Sequence, residues 1–420
     1  MIATVVTEFP RKVRELETVW IPMSDGVRLA ARIWLPEDAE RDPVPAILEY
    51  IPYRRRDRTR LLDDQTHPFW AGHGYACVRL DMRGSGDSEG ITRDEYLTQE
   101  QDDGLEAIAW LAAQPWCTGS VGMFGISWGG FNALQVAARR PPALKAIIPV
   151  AFTDDRYADD MHYMGGAVLA DNLNWGSQFF AIMGEPPDPA VVGDGWRGQW
   201  EERLEAVVPY FETWLRHPFR DAYWKHGSVR EDYAAIACAV LAIGGWADGY
   251  SNAVFRVLAG LSCPRRAIVG PWAHVYPHLG VPGPAIDFLG EGLRWWDHWL
   301  KGRDTGVMNE PMLRAFIQDS VAPRTHYDER PGRWVAEDVW PSPRIGGRRL
   351  ALNADGLAPE PGVRKTLTIA SPLTSGLASG DWCAYGLGGP SAELPADQRE
   401  DDGKALVFDS PPLPEPLEIL

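Results

Sequence analysis

Four continuous apolar runs, "VPAILEYI" (44–51), "YACVRLDM" (75–82), "SVGMFGI" (120–126) and "ALKAIIPVAF" (143–152), constrain this chain more than any other feature. Unbroken apolar runs of this length suit strands covered on both faces, as in a mainly parallel sheet. Helical patterns separate the later runs. "TQEQDDGLEAIAWLAAQ" carries Leu105, Ile108, Ala109, Leu111 and Ala112 near a 3.6-residue period, and "FNALQVAARR" follows the third run directly. Upstream, "VRLAARIW" alternates between Gly26 and Pro36 and predicts a half-buried strand. Strand and helix in alternation predict an α/β domain with right-handed crossovers.

The alternation stops at about Thr153. Up to Ala234, Trp, Tyr, Asp, Gly and Pro mix with short helical pieces such as "WEERLEAVVPYFETWLRH", which predicts a mostly helical cap inserted over the sheet. Strand-like runs resume in "ACAVLAIGGWADG" and "CPRRAIVGPWAH", and the helix "FLGEGLRWWDHWLKG" closes the unit. From Pro311, "MLRAFIQD", "GRWVAEDVW", "RRLALNA", "VRKTLTIA" and "KALVFDS" are short strand patterns between Pro and Gly clusters, the texture of a β-sandwich or jelly roll. The expected organisation is therefore a core in two parts (1–152 and 235–305), a helical insertion (153–234) and a jelly-roll-like β region (306–420). The last of these is expected to be incomplete, because the chain stops at "PPLPEPLEIL" within what reads as an incoming strand.

With 420 residues the chain can bury more than one core. Its 58 acidic against 41 basic residues give a formal charge of -17, which argues against nucleic acid or an anionic membrane as partner. Cys77, Cys117, Cys238, Cys263 and Cys383 follow no metal-binding or disulfide spacing and read as reduced residues. The N-terminal stretch lacks an apolar signal core and no run is long enough to span a bilayer, so a cytoplasmic address is the expectation.

Two serines sit in the pattern Gly-x-Ser-x-Gly. Ser127 lies in "GISWGG" and Ser88 in "RGSGDSEG". A nucleophile in this pattern needs a strand ending in a sharp turn that leads at once into a helix. Ser127 has the apolar run before it, Gly125, Gly129 and Gly130 around it, and a helical pattern after it. Ser88 is separated from its strand by a turn and no helix follows, so it reads as part of a structural loop. A serine hydroxyl needs a base, and the base needs an orienting acid. In chain order Ser, Asp, His, the residues just beyond later strands are Asp248 in "GGWADGY" and His274 in "GPWAH". His278, His298, His162, His217 and His226 compete with His274 but lack that placement. An oxyanion hole would take the backbone N–H of Trp128 and a second donor from the loop after an early strand. Tyr53 in "IPYRRRD" is available there, either as that donor or as a packing residue.

Together, "IPYRRRD", "RGSGDSEG", "GISWGG", "GGWADGY" and "GPWAH" resemble the family of serine hydrolases that includes cocaine esterase, glutaryl-acylase-type and α-amino acid ester hydrolases, and the X-Pro dipeptidyl peptidases. The resemblance runs from about Val19 to the end. It implies an α/β hydrolase with a helical cap and a C-terminal jelly roll, with Ser127, Asp248 and His274 as triad and Tyr53 joining the Trp128 N–H in the oxyanion hole. It also makes "RGSGDSEG" a structural loop. Where α-amino ester hydrolases carry an acidic pair after the triad Asp, this chain has Gly249-Tyr250-Ser251. Asp159 and Asp160 match the remaining acidic position or form a solvated, salt-bridged face.

The expected chemistry is acyl transfer from an ester or amide through an acyl-enzyme, with no metal or cofactor. Of the 19 tryptophans, Trp128, Trp246 and Trp272 lie within two positions of the candidate residues and either wall an aromatic acyl pocket or pack the core. An X-Pro-type peptidase is the nearest alternative, and a non-catalytic binding role for the β region is the alternative of a different class. The partner expected is a small-molecule ester or amide, with homo-oligomerisation through an exposed sheet edge also open.

Overall fold

A computed structural model describes residues 5–378, 380–381, 384–386, 394–395 and 397–420. Its strands, in chain order, are β1 (Val13–Pro22), β2 (Arg28–Pro36), β3 (Val44–Ile51), β4 (Ala76–Asp81), β5 (Cys117–Ile126), β6 (Leu144–Val150), β7 (Ala239–Gly245), β8 (Arg265–Gly270), β9 (Leu313–Gln318) and β10 (Gly332–Glu337). They form one ten-stranded sheet in the order β1-β2-β4-β3-β5-β6-β7-β8-β9-β10. From β4 to β9 the neighbours run parallel, and β1, β2 and β10 are antiparallel additions at the two ends.

The main helices are α1 (Arg60–Gly72), α2 (Thr98–Ala112), α3 (Trp128–Ala138), α4 (Asp171–Met183), α5 (Trp196–Ala206), α6 (Tyr210–Leu215), α7 (Ser251–Gly260) and α8 (Phe288–Lys301). Each central strand divides its side chains between two cores because successive residues point to opposite faces. Leu48, Val78, Met123, Ile147, Val240 and Val269 face one core with residues of α2, α3 and α7. Ile47, Cys77, Phe124, Ile148, Leu241 and Ile268 face the other with Trp70 of α1 and Trp295 and Trp296 of α8. The continuous apolar runs are thus strands covered on both sides, and each fully buried Leu or Ile contributes about 1.5–3 kcal/mol.

Strand β2 departs from expectation. All of Leu29–Pro36 is buried, not one face of it. The charged residue in the run, Arg32, is 1% exposed. Its guanidinium pairs with Glu15 (2.6 Å) and Asp64 (2.7 Å) and lies 4.3 Å above the Trp34 ring. Burial of a guanidinium is tolerated when its donors are met in this way.

The segment 153–234 adds no strand to the large sheet. It holds α4, α5, α6, a two-residue hairpin (Tyr163–Met164 with Ala167–Val168) and short helical turns. At the C-terminal end, "MLRAFIQD" becomes β9, which pairs with β8, and "GRWVAEDVW" becomes the edge strand β10. These two patterns extend the hydrolase sheet instead of opening a separate sandwich. "RRLALNA" supplies one arm of a hairpin, Ala351–Asn353 with Gly356–Ala358. No strand forms in "VRKTLTIA" or "KALVFDS" among the described residues, where Val363 is 86% and Val407 53% exposed. An apolar alternation becomes a stable strand only with neighbours to pair with and a face to bury. Cys77, Cys117, Cys238 and Cys263 are free thiols, and Cys383 lies outside the described residues. No helix among the described residues is long and apolar enough to cross a membrane.

Loop 83–90 carries the second Gly-x-Ser-x-Gly match and is built as a bracket. Ser88 is fully buried; its Oγ donates to the Asp81 carbonyl (2.7 Å) and accepts from the Ala30 N–H (2.9 Å). Asp87 pairs with the buried Arg55 guanidinium (2.9 Å), while the Arg55 N–H donates to the Asp81 carboxylate (2.8 Å). The loop therefore fixes the chain directly after Tyr53.

Leu313 on β9 is fully buried within the first core. Leu313→Ala is expected to cost about 2–5 kcal/mol, read as a lowered urea midpoint of tryptophan fluorescence. A loss under about 1 kcal/mol would place β9 outside the hydrolase core.

Candidate active site

The turn from β5 into α3 forces Ser127 to φ 57° and ψ -121°. Positive φ costs a non-glycine residue about 1–3 kcal/mol, so surrounding contacts must hold it there. The Ser127 N–H donates to the Val150 carbonyl (3.0 Å) and the Ala151 carbonyl (3.2 Å) at the end of β6. Its own carbonyl accepts from Gly130 (2.8 Å) and Phe131 (2.9 Å), opening α3. The glycines are steric necessities. A Cβ on Gly125 would lie 2.6 Å from the Gly129 Cα, and one on Gly130 would lie 2.8 Å from the Val150 carbonyl oxygen. Trp128 is the first residue of α3, where an N–H has no carbonyl one turn back to meet it.

Asp248 follows β7 and His274 follows β8. His274 Nδ1 and Asp248 Oδ1 are 3.0 Å apart, with the Asp248 side chain fully buried and that of His274 10% exposed. The two loops are tied together, since the Ala247 N–H donates to the Trp272 carbonyl (3.0 Å). Tyr53 lies just past β3, and its hydroxyl is close enough to the Ser127 side chain to interact with it. Burial pushes the Tyr53 phenol well above its ordinary pKa, with the Ser127 side chain opposing, so it stays a protonated donor at neutral pH.

The competing histidines are engaged elsewhere. His162 pairs with Glu95 (2.7 Å) in a buried pocket, and His217 pairs with Asp221 (2.6 Å). His278 stacks on Phe288 and burial pushes its pKa down to about 4. Glu49, Asp63 and His67 lie close enough together to ligate a cation, but the Arg79 guanidinium already fills that role at 3.5 Å from Asp63 and 3.9 Å from Glu49.

The pocket candidates divide. Trp272 is 1% exposed and its Nε1 donates to the Pro284 carbonyl (2.8 Å); it belongs to the second core, and the Cβ-free Gly245 and Gly270 make room for it. Trp246 stacks on Phe255 and donates to the Phe316 carbonyl (2.6 Å). It borders a cavity of about 330 Å³ behind Asp248 that does not include Ser127 or Tyr53 among its walls. Asp159 is spent on an ion pair with Arg256. Asp160 is buried and accepts from the Tyr250 hydroxyl (3.0 Å), and burial pushes its pKa up to about 6. Trp272, Trp246 and Asp159 are therefore structural, because each meets its polar or stacking demand inside the protein.

The aromatic surface beside Ser127 comes instead from α4. The half-buried Trp175 ring packs edge-on to Tyr53 (6.1 Å between centroids) and stacks with Phe179, which in turn lies 5.0 Å from the Trp128 ring. No motif marks these two residues; a helical spacing of four within the insertion is the signal available.

Comparison with known proteins agrees with this architecture. The family model described as "X-Pro dipeptidyl-peptidase (S15 family)" matches residues 25–276, and that of the "X-Pro dipeptidyl-peptidase C-terminal non-catalytic domain" matches 305–420. The chain belongs to the S15 family. It is thus a hydrolase, with serine esterases and X-Pro peptidases among its relatives. Cocaine esterase of Rhodococcus sp. is 28% identical over 96% of this chain and 75% of its own length. A candidate serine esterase of Mycobacterium bovis is also 28% identical, over 95% of this chain and 73% of its own length. Among solved structures, a CocE/NonD family hydrolase of Staphylococcus aureus shares the fold with a TM-score of 0.67 at 19% identity, covering 83% of this chain. The chain spans 60% of that structure.

In this S15 member the turn at Ser127 rests on a buried carboxyl that no motif announced. Glu100 of α2 accepts from Trp128 Nε1 (2.7 Å) and from the Tyr96 N–H (2.8 Å). Burial pushes its pKa up to about 8 despite those two bonds. Between about pH 4.5 and 8 the folded protein keeps a proton at Glu100 that the unfolded chain releases, so this group's contribution to stability falls as pH rises. Glu100→Gln lacks that titration. The stability of Glu100→Gln relative to the wild type is expected to increase from pH 5 to pH 8 in urea unfolding; a difference independent of pH would show that Glu100 is ionised throughout.

Proposed function

We propose that the chain cleaves carboxylic esters by a Ser-His-Asp mechanism, with an apolar or aromatic acyl group preferred over a peptide. The observation that carries this reading is Ser127 at a strained strand-to-helix turn with the Tyr53 hydroxyl beside it and the 3.0 Å His274–Asp248 pair on two later loops, in the order the chemistry needs. His274 takes the Ser127 proton as Oγ attacks the carbonyl carbon, and Asp248 holds the imidazole in the tautomer with its free nitrogen toward serine. The Tyr53 hydroxyl and the Trp128 N–H stabilise the alkoxide that forms. His274 then protonates the departing alcohol, and water activated by the same imidazole releases the acid from the acyl-enzyme.

Two features support an ester with an apolar acyl group. Trp175 stands edge-on to Tyr53 and, with Phe179 and Trp128, adds an aromatic cluster next to the proposed oxyanion donors. The acidic residues that would hold a peptide's ammonium are engaged, Asp159 by Arg256 and Asp160 by Tyr250. A p-nitrophenyl ester is therefore expected to turn over faster than a Gly-Pro anilide. The reverse order would favour an X-Pro-type peptidase.

Ser127→Ala is expected to abolish turnover and fluorophosphonate labelling, whereas Ser88→Ala keeps both and loses about 1–3 kcal/mol of stability from its unmet partners. Labelling mapped to Ser88 would refute the assignment. Tyr53→Phe should lower kcat about 10²-fold or more; an unchanged kcat would remove the phenol from the oxyanion site.

A further inference from the structure

The imidazole of His274 packs against two phenol rings from different parts of the chain, whose own centroids are 6.1 Å apart. Tyr250, just before α7, meets it edge-on at 5.7 Å between centroids, and Tyr385, in the C-terminal region, meets it edge-on at 5.0 Å. The two hydroxyls are 3.2 Å apart. With Asp160 ionised, Tyr250 gives its proton to that carboxylate (3.0 Å), which leaves Tyr385 as donor to Tyr250. The backbone around Tyr385 is bound to both catalytic loops. The His274 N–H donates to the Tyr385 carbonyl (2.8 Å), and the Gly249 N–H, next to Asp248, donates to the Ala384 carbonyl (3.0 Å). Gly386 takes φ 68°, and a Cβ there would lie 2.4 Å from the Ala273 Cβ, so the segment sits as close to the His274 loop as backbone allows.

We propose that the segment 384–386 is part of the active site as a positioning strap, with Tyr385 holding the His274 ring at the angle from which it serves both Asp248 and Ser127. Asp248 fixes His274 at one nitrogen, 3.0 Å away, and a single hydrogen bond leaves the ring free to tilt about that contact. Two aromatic rings packed against one side of the imidazole limit that freedom, and the hydroxyl bond between them holds the pair together. Small misplacements of a base are costly, because about 1 Å can lower a rate 10²-fold. The region matched as a non-catalytic domain would thus contribute to chemistry without touching the reacting atoms.

The inference rests on the triad reading, and the test separates the two. The rate of fluorophosphonate labelling reports activation of Ser127 by His274 with little dependence on substrate fit, and kcat and KM for a p-nitrophenyl ester are measured beside it. Labelling of the wild type at Ser127, lost in Ser127→Ala, establishes the triad reading independently of the strap. Tyr385→Ala is then expected to slow labelling and lower kcat about tenfold or more with KM within about twofold. Tyr385→Phe, which keeps the ring, should restore most of the rate. Gly386→Ala, which pushes the segment away through its backbone, should reproduce the defect. If Tyr385→Ala does not stay folded, Tyr385→Leu fills the volume without a ring edge and carries the same expectation. Wild-type labelling rates in Tyr385→Ala, Tyr385→Leu or Gly386→Ala, or a change confined to KM, would overturn the proposal.

Discussion

The tight approach of β5 to α3 is the constraint on which the rest of this molecule depends. Ser127 holds a positive φ only because glycines at 125, 129 and 130 let two backbones meet at distances no side chain would permit. That contact sets the height of α3 over the sheet and presents the serine hydroxyl beyond the strand ends. Parallel neighbours β3, β7 and β8 then deliver Tyr53, Asp248 and His274 to the same edge, since every loop after a parallel strand leaves from that side.

Polar burial around this edge is extensive, and its charged groups are paired. Arg55 spans Asp81 and Asp87, Arg79 lies among Glu49, Asp63 and Asp81, and Glu95 binds both His162 and Arg156. Removing one member of such a pair strands a buried charge, which costs about 3–5 kcal/mol, although the intact pair itself adds little stability. These networks hold loops in register more than they stabilise the fold. Of the readings open in sequence for the acidic run 154–160, the salt-bridged one describes it: Arg220 and Arg256 pair with Asp155, Asp154 and Asp159, and Tyr250 donates to Asp160.

Local patterns made the core legible. Ser127 was separable from Ser88 by the strand before it and the helix after it, and Asp248 and His274 by their positions past later apolar runs. The residues that escaped are those whose role depends on distant segments meeting. Trp175 meets Tyr53 only because α4 brings it there from more than a hundred residues away, and Tyr385 reaches His274 across a similar distance in sequence. Proximity in sequence also misled in the other direction. Trp272 stands two positions from His274, yet the chain reverses there and sends its ring into the second core. The β patterns after Pro311 divide for a related reason. An alternating run records that a residue could line a strand, while pairing decides whether it does: two runs join the large sheet, one forms a hairpin, and two find no partner among the described residues.

Loop 83–90 has a consequence for how such a protein can diversify. The helical insertion rests on it through main-chain acceptors: Arg203 donates to the Gly86 and Ser88 carbonyls, and Gln199 donates to that of Ser88. Carbonyl oxygens are the same whatever side chains the loop carries. An insertion of different sequence and shape needs only a few donors at the right places to seat on this platform. The insertion can then be exchanged over evolutionary time while the platform, and with it the Tyr53 loop held by Arg55, keeps its shape.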